Sequence, residues 1–249
     1  MLRNSAVKAF FSVALAALLT VPAFSQAQEI NPGRTSVFVT PVPNAPFTAT
    51  VVVQITRPLA DGTTQRFKTA NNIARDAHGR IYNESHRLVP VTFDGTPELL
   101  GSHIYDPETR TNIFLNPGQH IARQNVLKGP APNWDEVPPP PRVPVPAKAG
   151  ENGMRQEDLG TQILEGVTVR GQRVTSTIPA AQSGTGQPLV VTDETWYSQE
   201  LHLNMLIKHN DPRTGEQTLT IQQLKRDNPD PQMFTVSSDY KVVDETQGN

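Results

Sequence analysis

Apolar and polar residues alternate along most of the chain, and a period of two is typical of a half-buried β-strand. Turn sequences such as Asp61-Gly62 and Glu165-Gly166 lie between the alternating runs and favour hairpins. One run alternates polar residues with Phe47, Ala49, Val51, Val53 and Ile55. We predict strands over residues 47–55, 64–75, 80–89, 98–105, 111–115, 119–127, 157–164, 167–178, 188–198, 200–209 and 216–226.

Helical periodicity is weak throughout, so at most a short helix is predicted, near residues 150–158. The elements therefore predict a mostly β protein: a curved antiparallel sheet or unclosed β-barrel, built from sequential hairpins with little helix. A Pro-punctuated leader over residues 28–46 precedes it, with a short strand predicted at 36–40.

A proline-rich stretch interrupts the pattern in the middle of the chain. Residues 129–150 contain eight prolines, which cannot form a sheet ladder and favour an extended linker or surface loop. This stretch separates one β-hairpin half, residues 47–128, from a second, residues 151–249. We expect the second half to complete the same sheet, with two small β domains as the alternative.

The first 27 residues have the composition of a secretory signal peptide. Arg3 and Lys8 make a basic start, residues 9–21 form an apolar run of 13 residues, and Ser25-Gln26-Ala27 places small residues before a cleavage site. A membrane span needs about 20 apolar residues. We therefore predict cleavage near Ala27, a periplasmic or secreted location, and no transmembrane span in the mature chain.

Charge and cysteine content exclude several classes of function. Loss of Arg3 and Lys8 with the signal leaves 20 of the 22 basic side chains against 24 acidic ones, a net charge of −4. No basic patch with interleaved aromatic residues is present, so nucleic acid is not an expected partner. The chain has no cysteine, so it has no attachment point for the acyl chains of a lipoprotein.

Catalytic and metal-binding chemistry is sparse in the sequence. Ser183 lies in a Ser/Gly-rich loop without the Gly-x-Ser-x-Gly elbow, so no catalytic residue is expected. On one strand Tyr82, Glu84 and His86 would share a face, and with His103 they would make a metal site. The six histidines lack His-x-His or His-Glu-x-x-His spacing. A solvated or cross-strand paired face is therefore predicted, without metal or other cofactor.

The most informative feature is an apolar face in the second half of the chain. A protein with one sheet and little helix has few elements to cover such a face. Its sheet can pack face to face with another, close into a barrel, or leave a cleft for a ligand. Met205 would supply adaptable packing in such a cleft. We predict a ligand-binding face made of Trp196, Leu201, Leu203, Met205, Ile207, Leu219 and Ile221. An ordinary core face covered by other elements is the alternative.

Two stretches of the second half carry a family resemblance: "EGVTVRGQRVTSTI" (165–178) and "VVTDETWYSQELHLNMLIKHNDPRTGEQTLTIQQLKRDNPDPQMFTV" (190–236). They resemble the periplasmic lipoprotein carriers and envelope sensors of the LolA/RseB-like superfamily. The resemblance covers residues 157–240 and extends to a group of exported bacterial proteins of unknown function. It implies an unclosed β-barrel whose concave apolar face, capped by helices, holds acyl chains.

Together these observations lead to one main hypothesis and two alternatives. The main hypothesis is a non-enzymatic periplasmic protein that binds a lipid or lipoprotein acyl chain, or an envelope protein, on the apolar face. The first alternative is an envelope interaction or scaffold module that uses the Pro-rich residues 130–146. The second is a metal-dependent hydrolase, which requires Glu84, His86 and His103 to converge.

Overall fold

The structure is a computed structural model that describes residues 35–129 and 153–246. The predicted signal peptide, the first part of the leader and residues 130–150 of the Pro-rich stretch lie outside the described residues. The described chain contains β1 (Phe47–Pro58), β2 (Thr64–Arg75), β3 (Ile81–His86), β4 (Val89–Pro90), β5 (Leu99–Asp106), β6 (Thr111–Asn116), β7 (Ile121–Val126), β8 (Arg155–Leu164), β9 (Val167–Ile178), β10 (Leu189–Ser198), β11 (Leu203–Asp211), β12 (Gly215–Lys225) and β13 (Lys241–Asp244).

Helix is limited to two short pieces of the described chain. They are α1, which is the single turn Ala180–Ser183, and a 3₁₀ turn at Pro231–Phe234. Across both described ranges, we find no helix with the length and hydropathy needed to cross a membrane.

All thirteen strands belong to one sheet, in the order β13-β7-β6-β5-β3-β2-β1-β12-β11-β10-β9-β8, with β4 paired to β2. Every pairing is antiparallel except that of β13 with β7, which is parallel. The sheet is not closed into a barrel. The prediction of a mostly β, curved and largely antiparallel sheet with little helix is therefore confirmed.

The main hydrophobic core lies on one face of the central strand β1. Val51 stands opposite Ile221, and Val53 stands opposite Leu219, because β12 pairs along the length of β1. The odd-numbered residues of β1 from Phe47 to Ile55 are at most 6% exposed, whereas Gln54 is exposed. Alternation therefore directs the apolar side chains of β1 to one side, as a two-residue period requires.

A smaller cluster covers the opposite face of the first half. Ala74 follows Ile73 in β2 and therefore points away from the main core. It packs with Ile104 of β5 and with Phe234, which the 3₁₀ turn brings against the sheet. The C-terminal segment thus buries the second face where β2, β3 and β5 lie side by side.

One predicted element is wrong, and the short helix allowed near residues 150–158 is not found among the described residues of that range. Residues 36–40 form no strand: this part of the leader bonds to side chains of β2, and Pro41 removes a backbone donor immediately after it. No helix is present over residues 153–158, because β8 begins at Arg155 and pairs with β9, where Arg155 lies opposite Thr175.

Candidate functional site

The structure brings all seven predicted face residues into one hydrophobic cluster. Leu201 lies in the turn before β11, and the strands supply the other six. Five have at most 2% of their surface exposed, and Trp196 and Ile207 are half-buried and pack against those five. The fully buried members are Leu201, Leu203, Met205, Leu219 and Ile221.

An extended segment, residues 35–46, lies on this cluster, and we call it the cover segment. Its Val37 and Val39 belong to the same cluster as the buried face, at 4% and 1% exposure. Among the described residues, the cluster members outside strands are Val37, Val39, Leu88 and Leu201. The described cover is therefore irregular backbone rather than a helix or a second sheet.

Arg75, at the end of β2, holds the cover segment through its guanidinium group. Its Nε donates to the carbonyl of Ala45 (2.8 Å) and its Nη1 to that of Thr40 (2.7 Å). Nη2 donates to the carbonyl of Leu201 (2.8 Å), and the guanidinium carbon lies 5.0 Å from the ring centre of Phe47. Arg75 has no exposed surface, and this burial lowers its pKa to about 10.

Two further contacts fix the cover segment at its ends. The side-chain amide of Asn71 donates to the carbonyl of Thr35 (2.8 Å), and the backbone N–H of Asn44 donates to the carbonyl of Ala77 (2.9 Å). Asn71 is 1% exposed, so the face that carries the apolar cluster also carries buried polar anchors. The cover segment is thus attached at separate points and not by a continuous ladder.

Tyr197 and His202 lie close to the Arg75 charge. The Tyr197 hydroxyl is 3.4 Å from Nδ1 of His202. Burial lowers the pKa of His202, and the positive charge of Arg75 lowers it further. Burial raises the pKa of Tyr197, while the charge of Arg75 acts in the opposite direction. Both side chains are therefore neutral hydrogen-bonding groups beside a buried cation at neutral pH.

Trp196 is positioned by a carboxylate and a glycine. Its Nε1 donates to Glu194 (2.7 Å), which also accepts from Nη2 of Arg173 (2.7 Å). Burial raises the pKa of Glu194, but the bonds from Trp196 and Arg173 outweigh it, so the net shift is downward. A Cβ at Gly171 would lie within 2.6–2.7 Å of the Trp196 ring, so the ring occupies the space above this glycine.

An open pocket lies next to the apolar cluster and shares Ile221 with it. Its volume is about 420 Å³, within the range of small-molecule sites. The carboxylate of Glu165 faces this region and accepts the backbone N–H of Leu224 (3.2 Å). The lining consists of Leu164, Glu165, Leu206, Thr220, Ile221, Gln222 and Gln223.

The residues proposed for a metal site do not converge. His103 lies opposite Asn83, whereas Glu84 lies opposite Ser102, so His103 and Glu84 are on different faces of the sheet. Glu84 instead accepts from the hydroxyl of Tyr82 (2.9 Å). Over the described ranges, no group of three His, Asp or Glu side chains is arranged to hold a metal ion.

Sequence reasoning missed three residues of this region: Arg75, Gly171 and Glu194. The sequence did indicate Gly171, since an isolated glycine inside a strand often marks a site where another group approaches the backbone closely. Arg75 had none, because its three acceptors lie 30 to 126 positions away in the chain.

No family model matches the chain, and no curated protein does. Solved structures similar to it include a complex of MucA and MucB from Pseudomonas aeruginosa, at 13% identity and a TM-score of 0.40, over 80% of this chain and 58% of that one. LprF from Mycobacterium bovis is similar at 12% identity and a TM-score of 0.27, over 75% of this chain and 90% of that one.

A LolA-superfamily protein from Nitrosomonas europaea is also similar, at 12% identity and a TM-score of 0.30, over 78% of this chain and 91% of that one. The chain spans less than three fifths of the matched chain in the MucA and MucB complex.

Proposed function

We propose that this chain is a non-enzymatic, exported periplasmic protein that binds an acyl chain of a lipid or lipoprotein on its apolar sheet face. The ligand would lie against Trp196, Leu201, Leu203, Met205, Ile207, Leu219 and Ile221. One observation carries the proposal: the described cover of this face is the cover segment, whose backbone forms no ladder with the sheet.

Exchange of the cover segment for a ligand is the central step. Lifting residues 35–46 breaks the bonds from Arg75 to Thr40 and Ala45. It also breaks the bonds at the two ends of the segment, from Asn71 to Thr35 and from Asn44 to Ala77. It leaves the pairing of β1 with β2 and β12 unchanged. A neutral bond contributes about 1 kcal/mol net, and a bond from a charged group such as Arg75 contributes about 1.5–3 kcal/mol. Because no strand pairing is broken, opening is a local event that does not require unfolding of the sheet.

Burial of hydrocarbon would offset the cost of opening. When the cover segment opens, Val37 and Val39 leave the cluster, and the methylene groups of an acyl chain take their place. Burying one methylene group contributes about 0.8 kcal/mol of binding free energy. A chain of 16 carbons therefore has more apolar surface to bury than two valine side chains expose. The pocket beside Ile221 offers space next to the cluster before the segment moves.

The absence of cysteine in the chain makes a direct test practical. Phe38 is 63% exposed and lies between Val37 and Val39, so a single Phe38→Cys variant carries a solvatochromic dye on the cover segment alone. We expect palmitate to change the dye emission saturably at micromolar concentration. Ile163→Cys, at a 72% exposed position of β8, is the control and should not respond.

A separate titration with a fluorescent fatty acid measures binding itself. Saturable binding that unlabelled palmitate competes away supports the proposal. Failure of the folded wild-type chain to bind any acyl compound would overturn it.

The alternative of a scaffold that docks a partner through residues 130–146 stays a prediction, since these residues lie outside the described ranges. Deleting them separates the two functions. Acyl binding should persist in the deletion variant, whereas capture of an envelope partner should fail if the Pro-rich stretch is the docking element.

A further inference from the structure

Arg75 is a buried cation that has no anionic partner among the described residues. It has no exposed surface, and its three described hydrogen bonds all end on backbone carbonyls. In the described part of the chain, no carboxylate forms an ion pair with it; the adjacent Asp76 pairs with Arg80 instead (2.7 Å). Burying a charge in this way is costly unless the charge is well partnered.

Two of the three acceptors of Arg75 are on the cover segment. Once residues 35–46 lift away, the carbonyls of Thr40 and Ala45 leave, and only the carbonyl of Leu201 remains. Arg75 stays protonated at neutral pH, because burial lowers its pKa only to about 10. The opened face would therefore expose a cation at one end of an apolar surface, and two of its N–H donors, on Nε and Nη1, would lack an acceptor.

The surroundings of Arg75 suit a planar anion. The guanidinium group presents its donors as a flat fork that matches the two oxygens of a carboxylate. Bonds to a carboxylate are also shorter and about twice as strong as bonds to a neutral carbonyl. Tyr197 and His202 stand nearby as neutral groups whose hydroxyl and ring N–H can donate to the same anion.

We propose that the ligand of the apolar face is a single-chain amphiphile with a carboxylate head, a free fatty acid, and that Arg75 binds the carboxylate in place of Thr40 and Ala45. This inference rests on the proposed function and specifies its ligand. The acyl chain would extend from Arg75 over the cluster of Leu201, Leu203 and Met205.

The first test compares ligands on one protein. Palmitate and methyl palmitate share the acyl chain and differ in charge, and hexadecylamine reverses the charge. We expect wild-type protein to bind palmitate at least about tenfold more tightly than its methyl ester, the size expected for hydrogen bonds to a charged group. Hexadecylamine should bind most weakly. Equal affinity for acid and ester would overturn the inference but not the proposed function, whereas no binding by any of the three would overturn both.

The second test assigns the preference to Arg75. Arg75→Gln should reduce the ratio of palmitate to ester affinity to near one. Arg57→Gln is the matched control, because Arg57 also carries a guanidinium close to an aromatic ring, that of Phe67 at 5.6 Å, but no bond from it to the cover segment is described. The Arg57 variant should keep the wild-type ratio, and an unchanged ratio in folded Arg75→Gln would overturn the assignment.

A third measurement needs no variant and therefore remains decisive if Arg75→Gln does not fold. The carboxyl carbon of ¹³C-labelled palmitate bound to wild-type protein reports its own titration. A guanidinium partner holds the carboxyl pKa below that of the dilute free acid, whereas an apolar site without a cation raises it. A bound carboxyl pKa at or above the free value would overturn the inference.

Discussion

The indole ring of Trp196 covers the backbone of Gly171, so that a Cβ at position 171 would stand 2.6 Å from Cζ3 of the ring. The two residues face each other across β9 and β10. This approach holds the indole against the apolar cluster, while Glu194 binds its N–H.

Gly171→Ala should therefore destabilise the protein by about 1–3 kcal/mol, the usual cost of forcing an atom into packed space. Chemical denaturation measures the loss. Gly118→Ala is the control, since a Cβ there would meet only an ordinary contact at 3.5 Å. In a double-mutant cycle, Trp196→Leu should remove most of the penalty of Gly171→Ala; additive effects would contradict the proposed clash.

Replacing Arg75 by methionine should cost about 3–5 kcal/mol of unfolding free energy, because three buried carbonyls lose their donor. Arg57→Met is the matched control: its guanidinium carbon lies 5.6 Å from the Phe67 ring centre, but no comparable bonds to buried carbonyls are described for it. Equal losses in both variants, measured by urea denaturation, would show that the Arg75 bonds add nothing beyond contact with an aromatic ring.

Weakening the cover segment should strengthen ligand binding. Val39 is 1% exposed, so Val39→Ala removes packing from the closed state at a cost of about 1–3 kcal/mol. A ligand that binds only the open state should then bind about fivefold to about 150-fold more tightly in a fluorescent fatty acid titration, the factor that corresponds to this cost. Phe38→Ala, at the exposed neighbouring position, should leave affinity unchanged; reduced affinity in folded Val39→Ala would contradict exchange of the cover.

Acidification should destabilise the fold partly through His103. Burial lowers the pKa of this histidine from its ordinary value of 6.5, while its bond to Asn112 opposes the shift. The unfolded chain therefore binds a proton first, so the contribution of His103 is complete above about pH 6.5 and is lost as pH falls through the lower folded value.

Unfolding free energies at about pH 7.5 and pH 5.5 test this sign. The wild-type protein should lose more stability between these two conditions than His103→Gln does. A larger loss in the variant would mean that folding raises the pKa of His103 instead of lowering it.

Strand positions were predictable because alternation is local. The bounds predicted for β2 and β9 are those observed, since each strand has one buried face and ends at a turn sequence. The leader misled the prediction, because Val37 and Val39 alternate like a strand. The backbone on either side of these valines, at Thr35 and Thr40, accepts bonds from the side chains of Asn71 and Arg75 and not from a neighbouring strand. A two-residue period does not distinguish these two cases.

The candidate site was predictable in its apolar part only. Alternation placed Leu203 and Met205 together, but it contains no information on what covers them. A charged residue in a strand is normally exposed, so Arg75 at the end of β2 gave no sign of its burial. The separation of His103 from Glu84 depends on the register between β3 and β5, which the spacing within one strand does not reveal.

The central place of β1 between β2 and β12 has a consequence for synthesis. Val53 pairs with Thr69 of β2 soon after it is made, but its other neighbour, Leu219, follows 166 residues later in the chain (219 − 53). Until then β1 is an unpaired edge beside an apolar surface, and such edges join other chains readily. We therefore expect nascent or refolding chains to aggregate at high concentration and to require shielding of that edge until β12 arrives.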